Sequence, residues 1–241
     1  RIYKGSDLFD EVDFAASEIV RLVREEGYHF SDFVITARSL EDYSGFLEPV
    51  FSEYGIPVFY HKKTPLSQKP PVQLIAALLT IAAEGYGEDA VQTCLKTGFF
   101  PVSGADVSLF CSYIQKWKLR GNRFLRPFTM EEEAGKLDRI NAVRESFTTV
   151  TENFRQKAKN ATVKELSAAL FEVFTQIGLE AELQKMADFY RQYEEQALYA
   201  EQLQVYGLIV SAIDEMVAVC GEDAVTPATF RELLLSVLEE R

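Results

Sequence analysis

The sequence predicts a mainly α-helical protein in which a small α/β part precedes a larger all-α part. Two short apolar runs, at residues 33–37 and 56–60, lack a helical period and are predicted strands. From Val72 onward the chain carries only helix-like patterns, separated by Gly and Pro. This order of elements predicts a strand–helix–strand unit followed by a helical domain.

The first predicted element is an amphipathic helix over residues 8–26. Its apolar residues recur at helical spacing, and acidic residues occupy its first turn. Asp7 or Ser6 is the expected N-cap, and Gly27 is the expected stop. The segment therefore has a complete set of helix signals.

The next elements are predicted to form a β–α–β crossover. The run at 33–37 is apolar and partly β-branched, which is typical of a strand buried on both faces of a parallel sheet. A second helix is expected from Ser39 to about Tyr54, closed by Gly55, and the run at 56–60 is the following strand. An earlier strand is expected around residues 2–3. Such a crossover is expected to be right-handed.

The rest of the chain is predicted to be helical. Thr162 and Glu165 have the spacing of a capping box, and Pro227 stands at a favourable first helical position. We divide the chain into an α/β part, residues 1–75, and a helical part, residues 76–241. Helices are predicted at about 71–84, 87–97, 104–119, 130–159, 162–177, 179–195, 196–220 and 226–240.

The composition excludes several classes of protein. Asp and Glu outnumber Lys and Arg by 37 to 25, and the formal charge of −12 opposes binding to phosphate backbones unless cations are locally clustered. Three widely spaced cysteines fit a reducing compartment better than a disulfide framework. No apolar run is expected to reach the roughly 20 residues that span a bilayer. We therefore expect a cytoplasmic protein without membrane contact.

The sequence offers little for catalysis. The two histidines, His29 and His61, have no Ser or Cys at a spacing that indicates a catalytic pair. No glycine-rich phosphate loop is present, and the cysteines lack the spacing of a zinc or iron–sulfur site. We predict no catalytic, cofactor or metal residue in this chain.

One stretch is basic against this acidic background. Between Ser108 and Thr129 the chain has no Asp or Glu, and its cations alternate with aromatic residues. Cations can neutralise phosphates while aromatic faces stack on unpaired bases. The alternative is a helix end and connector whose aromatic residues lie in the core and whose cations are solvated. The DNA-binding candidates are Lys116, Trp117, Lys118, Arg120, Arg123 and Arg126.

A second basic stretch is a weaker candidate. It lies in the loop before residue 70 and contains Lys62, Lys63 and Lys69. These cations could contact DNA, but surface solubility also explains them. We keep them as secondary candidates.

Several runs of the chain resemble a known family. Residues 11–19, 33–38, 40–43 and 51–59 resemble the start of the second RecA-like domain in superfamily-1 helicases of the UvrD/Rep type. Residues 65–67 and 70–75 look most like the helicase-like part of the AddB family, the B subunits of ATP-dependent helicase/deoxyribonucleases. The stretch 117–124 is similar to the aromatic and basic stretch that follows a helix in that family's helical insertion.

This resemblance implies a fold and a role. Residues 1–75 would form a partial RecA-like parallel sheet, and residues 76–241 would form a helical insertion domain. The parent protein would pair with an AddA-like motor and nuclease subunit to unwind and resect broken double-stranded DNA for recombinational repair. It would use ATP, magnesium and an iron–sulfur cluster. The phosphate-binding region would precede Arg1, and the nuclease motif and cluster cysteines would follow Arg241.

The residues and the resemblance leave two functions open. The chain could be a non-catalytic segment that binds single-stranded or forked DNA or acts as a scaffold. It could instead be a helical module that docks on the motor subunit without touching DNA. An active ATPase is disfavoured because the phosphate loop is missing.

Overall fold

A computed structural model describes residues 3–58, 65–133, 135–193 and 196–239. The chain divides into two compact units, Arg1–Thr64 and Pro65–Arg241. Each unit has its own cluster of buried apolar residues. The helices are α1 (Leu8–Glu26), α2 (Ser44–Glu53), α3 (Pro70–Glu84), α4 (Glu88–Lys96), α5 (Gly104–Lys116), α6 (Lys136–Lys157), α7 (Val163–Ile177), α8 (Leu179–Gln192), α9 (Gln196–Cys220) and α10 (Pro227–Glu239).

The first unit is built on the contact between α1 and α2. The Asp7 side chain accepts a hydrogen bond from the Asp10 amide at 2.9 Å, and Gly27 ends α1 in the left-handed conformation with φ 76°. Both predicted boundaries of this helix are therefore confirmed. Its buried face packs on the buried face of α2, and Tyr43 Oη donates to Glu11 Oε2 at 2.8 Å across the pair.

The predicted parallel sheet is wrong. Within the described ranges the chain is mainly helical, as expected, but no strand forms in them and the partial RecA-like sheet is not seen. The run at 33–37 is irregular, and Val34 is 86% exposed rather than buried on both faces. Residues 56–58 are irregular as well, whereas Ile2 and residues 59–60 lie outside the described residues.

A short apolar run becomes a strand only when a neighbouring strand accepts and donates its backbone hydrogen bonds. Ile35, Thr36 and Ala37 instead line a small groove of about 200 Å³ beside α1 and α2. All three residues are exposed, so they border the groove without joining the core of the first unit. The expectation of a strand failed because an apolar, β-branched composition does not show whether a partner strand lies alongside the run.

The second unit is a helical domain with α3 near its centre. The residues of α3 are almost all apolar, and the helix packs against α4, α6 and α10. The capping box at the start of α7 is confirmed, because Thr162 Oγ1 accepts from the Glu165 amide at 3.2 Å and Glu165 Oε2 accepts from the Thr162 amide at 2.9 Å. Pro227 opens α10, also as predicted.

Two helix boundaries, the end of α5 and the start of α6, differ from the predictions. The helix predicted at 104–119 ends at Lys116, and the helix predicted at 130–159 begins only at Lys136. The boundary between the two compact units falls after residue 64, whereas the division predicted from the sequence falls at residue 75, within α3. The assignment of residues 76–241 to an insertion domain stays a prediction.

Helix α9 corrects one further expectation. Its span Leu198–Cys220 has a mean hydropathy of 1.6 and is long and apolar enough to cross a membrane by length and composition. Val205, Ile209 and Ile213 are nevertheless buried in the core of the second unit. Because core helices pass the same test, the span is weak evidence for a membrane segment.

Candidate nucleic-acid interface

The basic segment, defined here as residues 116–126, begins where α5 ends. Lys118 adopts the left-handed conformation with φ 47°. The Leu119 amide donates to the Ile114 carbonyl at 2.9 Å, and the Lys118 amide donates to the Gln115 carbonyl at 3.2 Å, which together close the helix as a Schellman motif. Glycine usually fills the left-handed position of this motif. A lysine there carries backbone strain of about 1 kcal/mol.

The basic segment is fixed to the core at several points. The Gly121 amide donates to the Tyr86 carbonyl at 2.7 Å, and Arg144 Nη1 donates to the Phe124 carbonyl at 3.2 Å. Phe128, just beyond the segment, is paired with the Asn141 side chain. The backbone of the segment is therefore held by contacts to other parts of the domain.

Most aromatic residues of this stretch belong to the core. Tyr113, Phe124 and Phe128 are almost fully buried, and their rings pack against one another at centroid distances of 5.6 Å for the Phe128 pairs. They are not available to stack on a base. The core alternative is thus correct for these three rings, and Trp117 is the aromatic residue of the segment that stays partly exposed.

Four cations of the segment are exposed. Their side chains have no hydrogen bond or ion pair with any residue that the structure describes, so their charges are free to meet a ligand. The segment between them contains no carboxylate. These four cations are Lys118, Arg120, Arg123 and Arg126.

Lys116 and Trp117 are engaged differently. Lys116 Nζ lies 3.0 Å from Glu132 Oε2 and 5.3 Å from the centroid of the Trp117 ring. The hydrogen bond from Lys116 lowers the pKa of Glu132, so this carboxylate is ionised at neutral pH. Because of this ion pair, the charge of Lys116 is already neutralised. The indole Nε1 of Trp117 is buried without a hydrogen-bond partner among the described residues.

The secondary candidates are not brought to this surface as a group. Lys69 forms an ion pair with Glu201, and its side chain is only 13% exposed. This pairing favours a structural role for Lys69 between α9 and the start of α3. Lys62 and Lys63 lie outside the described residues.

The acidic surroundings limit the extent of the interface. A groove of about 450 Å³ runs beside Arg120 and Gly121, and its other lining residues include Glu84, Glu88 and Asp89. These carboxylates repel a phosphate backbone. A strand bound to the basic segment would therefore keep to the side of the free cations and away from this groove.

Sequence reasoning missed the residues that hold the segment in place. Asn141 and Arg144 lie on α6 at a spacing of three, next to the buried residues Ile140 and Val143. Polar residues on the apolar face of a helix are a usable signal, because buried polar groups are hydrogen-bonded. Glu132 gave no such signal, since it contacts Lys116 from 16 positions away.

The residues that the structure describes give no support for a metal or cluster site. Within the part of the chain that the structure describes, no group of three or more His, Cys, Asp or Glu is placed to hold a metal ion. Burial raises the pKa of the Cys94 and Cys111 thiols, which disfavours the thiolate that a cluster requires. These two cysteines do not fit an iron–sulfur cluster.

Comparison with known proteins agrees with the resemblance seen in the sequence. No family model matches the chain. The chain is 27% identical over 246 residues to the B subunit of the ATP-dependent helicase/deoxyribonuclease of Thermoanaerobacter sp. (strain X514), and the match covers 97% of this chain. Proteins of the same name from Alkaliphilus oremlandii and Clostridium acetobutylicum are 27% and 26% identical over 97% and 99% of the chain.

The match covers a limited part of these relatives. The chain spans 21% of the length of the Thermoanaerobacter protein and 22% of the other two. The resemblance itself is confirmed, and it extends across both units and the basic segment.

Proposed function

We propose that this chain, a homologue of a segment of the B subunit of ATP-dependent helicase/deoxyribonucleases, is a non-catalytic part of such a subunit that binds DNA through its basic segment. The main support for the proposal is that four exposed cations of the basic segment have no side-chain partner among the described residues, while the backbone of the segment is held by hydrogen bonds to the rest of the domain. A helicase and deoxyribonuclease acts on DNA, and a surface that tracks the strand needs cations in fixed positions.

The charges support binding to phosphates in particular. Lys118, Arg120, Arg123 and Arg126 stand within nine residues, and no internal acid competes for them. Four neutralised phosphates of a single strand give a salt slope of about −3 in log affinity against log salt concentration. Because each such contact releases counterions from the strand, binding should weaken as salt rises, although salt also screens the repulsion from the net charge of −12.

The comparison also supports a proposal for the role of the longer protein. The proposed parent is the B subunit of a cytoplasmic enzyme that unwinds and resects double-strand DNA ends for recombinational repair. Residues 76–241 would serve as its helical insertion domain. ATP, magnesium and the iron–sulfur cluster would act in other parts of the assembly, and a motor subunit would be the partner.

The test compares two quadruple variants of equal charge. In the first, Lys118, Arg120, Arg123 and Arg126 become Gln; in the second, the exposed lysines Lys96, Lys159, Lys164 and Lys185 become Gln. Binding of a fluorescently labelled oligothymidylate is measured by anisotropy at several salt concentrations. The first variant should lose affinity and flatten the salt slope by about 3, while the second should change the slope by less than about 1. Equal isotherms for the two variants would remove the DNA-binding function.

A second function is favoured by a separate observation. Phe189 and Tyr193, near the end of α8, are 55% and 63% exposed, and their ring centroids lie 4.6 Å apart. Exposed aromatic pairs are typical anchors of protein interfaces. The relatives are named as one subunit of an assembly, which implies a partner subunit that would bury this pair.

This docking function has its own test. Changing Phe189 and Tyr193 to Ser should weaken association of the chain with the motor subunit in a sedimentation or pull-down assay. Oligothymidylate binding should stay unchanged. If association survives both changes, the aromatic pair is not the docking site.

A further inference from the structure

We propose that Glu132 limits the preference of the basic segment for single-stranded DNA, by holding Lys116 over Trp117 until a phosphate takes its place. The proposal rests on the proposed DNA-binding function and adds a residue to it. In the free protein the Lys116 ammonium group lies over the Trp117 ring, 5.3 Å from its centroid. In the bound state the ring would be open to an unpaired base.

The geometry shows which partner of the ion pair is fixed. The Glu132 side chain is 18% exposed and the Lys116 side chain is 55% exposed. The stretch before Glu132 is tied to α5, because Tyr113 Oη donates to the Met130 carbonyl at 3.0 Å. Glu132 is therefore held in place, whereas the long side chain of Lys116 is free to exchange partners.

When Lys116 moves from Glu132 to a phosphate, one charged hydrogen-bond acceptor replaces another. An ammonium group that leaves a carboxylate for a phosphate oxygen keeps one charged hydrogen-bond acceptor throughout. Exposed ion pairs are weak, so the carboxylate competes with the strand without excluding it. The carboxylate is left near the bound phosphate, and this repulsion lowers the affinity that Lys116 and Trp117 would otherwise add.

The competition affects single strands more than duplexes. A freed Lys116 attracts the phosphates of either form of DNA. A freed Trp117 ring adds affinity only where a base presents an open face, which a duplex does not offer. Removing the charge of Glu132 should therefore favour the single strand most.

The neighbouring residue gives a matched control. Glu133 carries the same charge, but it is paired with Lys136 at 2.6 Å and its side chain is 74% exposed. Glu133→Gln thus makes the same change in net charge one position away, without touching Lys116. Any general effect of reduced repulsion appears equally in both variants.

The experiment measures two ligands with three proteins. The 241-residue chain, Glu132→Gln and Glu133→Gln are titrated into a labelled oligothymidylate of about 15 nucleotides and a labelled duplex of about 15 base pairs, lengths within the range that one single-strand-binding module covers. Glu132→Gln should tighten oligothymidylate binding by about 3-fold to 10-fold, and should tighten duplex binding by less than about 2-fold. Glu133→Gln should change either affinity by less than about 2-fold.

A second readout needs no DNA. Trp117 is the only tryptophan of the chain, so its fluorescence reports this site alone. Acrylamide should quench Trp117 more strongly in Glu132→Gln than in the parent chain or in Glu133→Gln. Far-ultraviolet circular dichroism confirms that each variant is folded.

The outcomes separate this proposal from the function on which it rests. If the parent chain binds oligothymidylate and Glu132→Gln binds it equally well, the proposal is overturned and the DNA-binding function stands. An equal gain for single strand and duplex also overturns it. If neither the parent chain nor the variants bind any DNA, the proposal and the function fail together.

Discussion

The side chain of Asn141 pairs with the backbone of Phe128 through two hydrogen bonds. Asn141 Oδ1 accepts from the Phe128 amide at 2.7 Å, and Asn141 Nδ2 donates to the Phe128 carbonyl at 3.0 Å. The carboxamide thus satisfies both backbone groups of a buried residue, as a neighbouring strand would. This contact ties the end of the connector between α5 and α6 to α6.

Asn141→Ala should destabilise the second unit by about 1–3 kcal/mol, because the buried amide and carbonyl of Phe128 lose their partners. The measurement is urea unfolding followed by circular dichroism. Asn122→Ala is the control, since Asn122 is exposed in the same connector, and its effect should stay within about 0.5 kcal/mol. Similar losses for both variants would contradict the role of Asn141.

Lys118→Gly should raise stability and lower DNA affinity at the same time. Glycine relieves the left-handed strain at φ 47°, which favours folding by about 0.5–1 kcal/mol. The same change removes one free cation, which should reduce the salt slope for oligothymidylate binding by about 0.7. Urea unfolding and anisotropy titration give the two values.

Lys118→Ala separates these effects. It removes the cation and keeps a Cβ atom in the strained conformation, so affinity should fall as in Lys118→Gly without the gain in stability. A loss of stability in Lys118→Gly would show that the lysine side chain itself stabilises the turn.

Tyr86 predicts a specific dependence of stability on pH. Burial raises the pKa of Tyr86 to about 12, and its hydroxyl lies 3.0 Å from Thr151 Oγ1. The folded state therefore keeps the phenol proton at a pH where the unfolded state releases it. The stability that comes with the protonated phenol is therefore fully present below about pH 10, the pKa of an unfolded tyrosine, and is lost as pH rises from about 10 towards about 12.

Comparison with Tyr86→Phe isolates this residue from the other ten tyrosines. Between about pH 9 and about pH 11 the parent chain should lose about 1 kcal/mol more unfolding free energy than Tyr86→Phe. Urea midpoints at the two pH values provide the measurement. Parallel losses in both proteins would mean that the phenol titrates normally in the folded state.

The helices were predictable because their ends are encoded locally. Asp7, Gly27 and the pair Thr162 and Glu165 act on backbone groups within a few residues, so the sequence shows both partners at once. The strands were not predictable in this way. The run at 33–37 has the composition of a strand, but its outcome depends on which distant segment lies beside it.

The sequence predicted where the exposed cations of the candidate site lie, but it did not predict which residues its side chains contact. The absence of acids between Ser108 and Thr129 correctly located a cluster of exposed cations. Burial of Phe124 and the Lys116 to Glu132 contact depend on the path of the chain after α5, which the sequence pattern does not contain. The helix predicted over 130–159 also hides the role of Glu132, because it places this residue on a solvated helix face.

The anchored backbone of the basic segment has a thermodynamic consequence. Contacts to Tyr86, Arg144 and Asn141 order the chain on both sides of its cations before any ligand arrives. A strand would meet a preorganised surface, so association should proceed without a slow conformational step and with a small change in heat capacity. A segment that folds on its ligand would show the opposite in calorimetry.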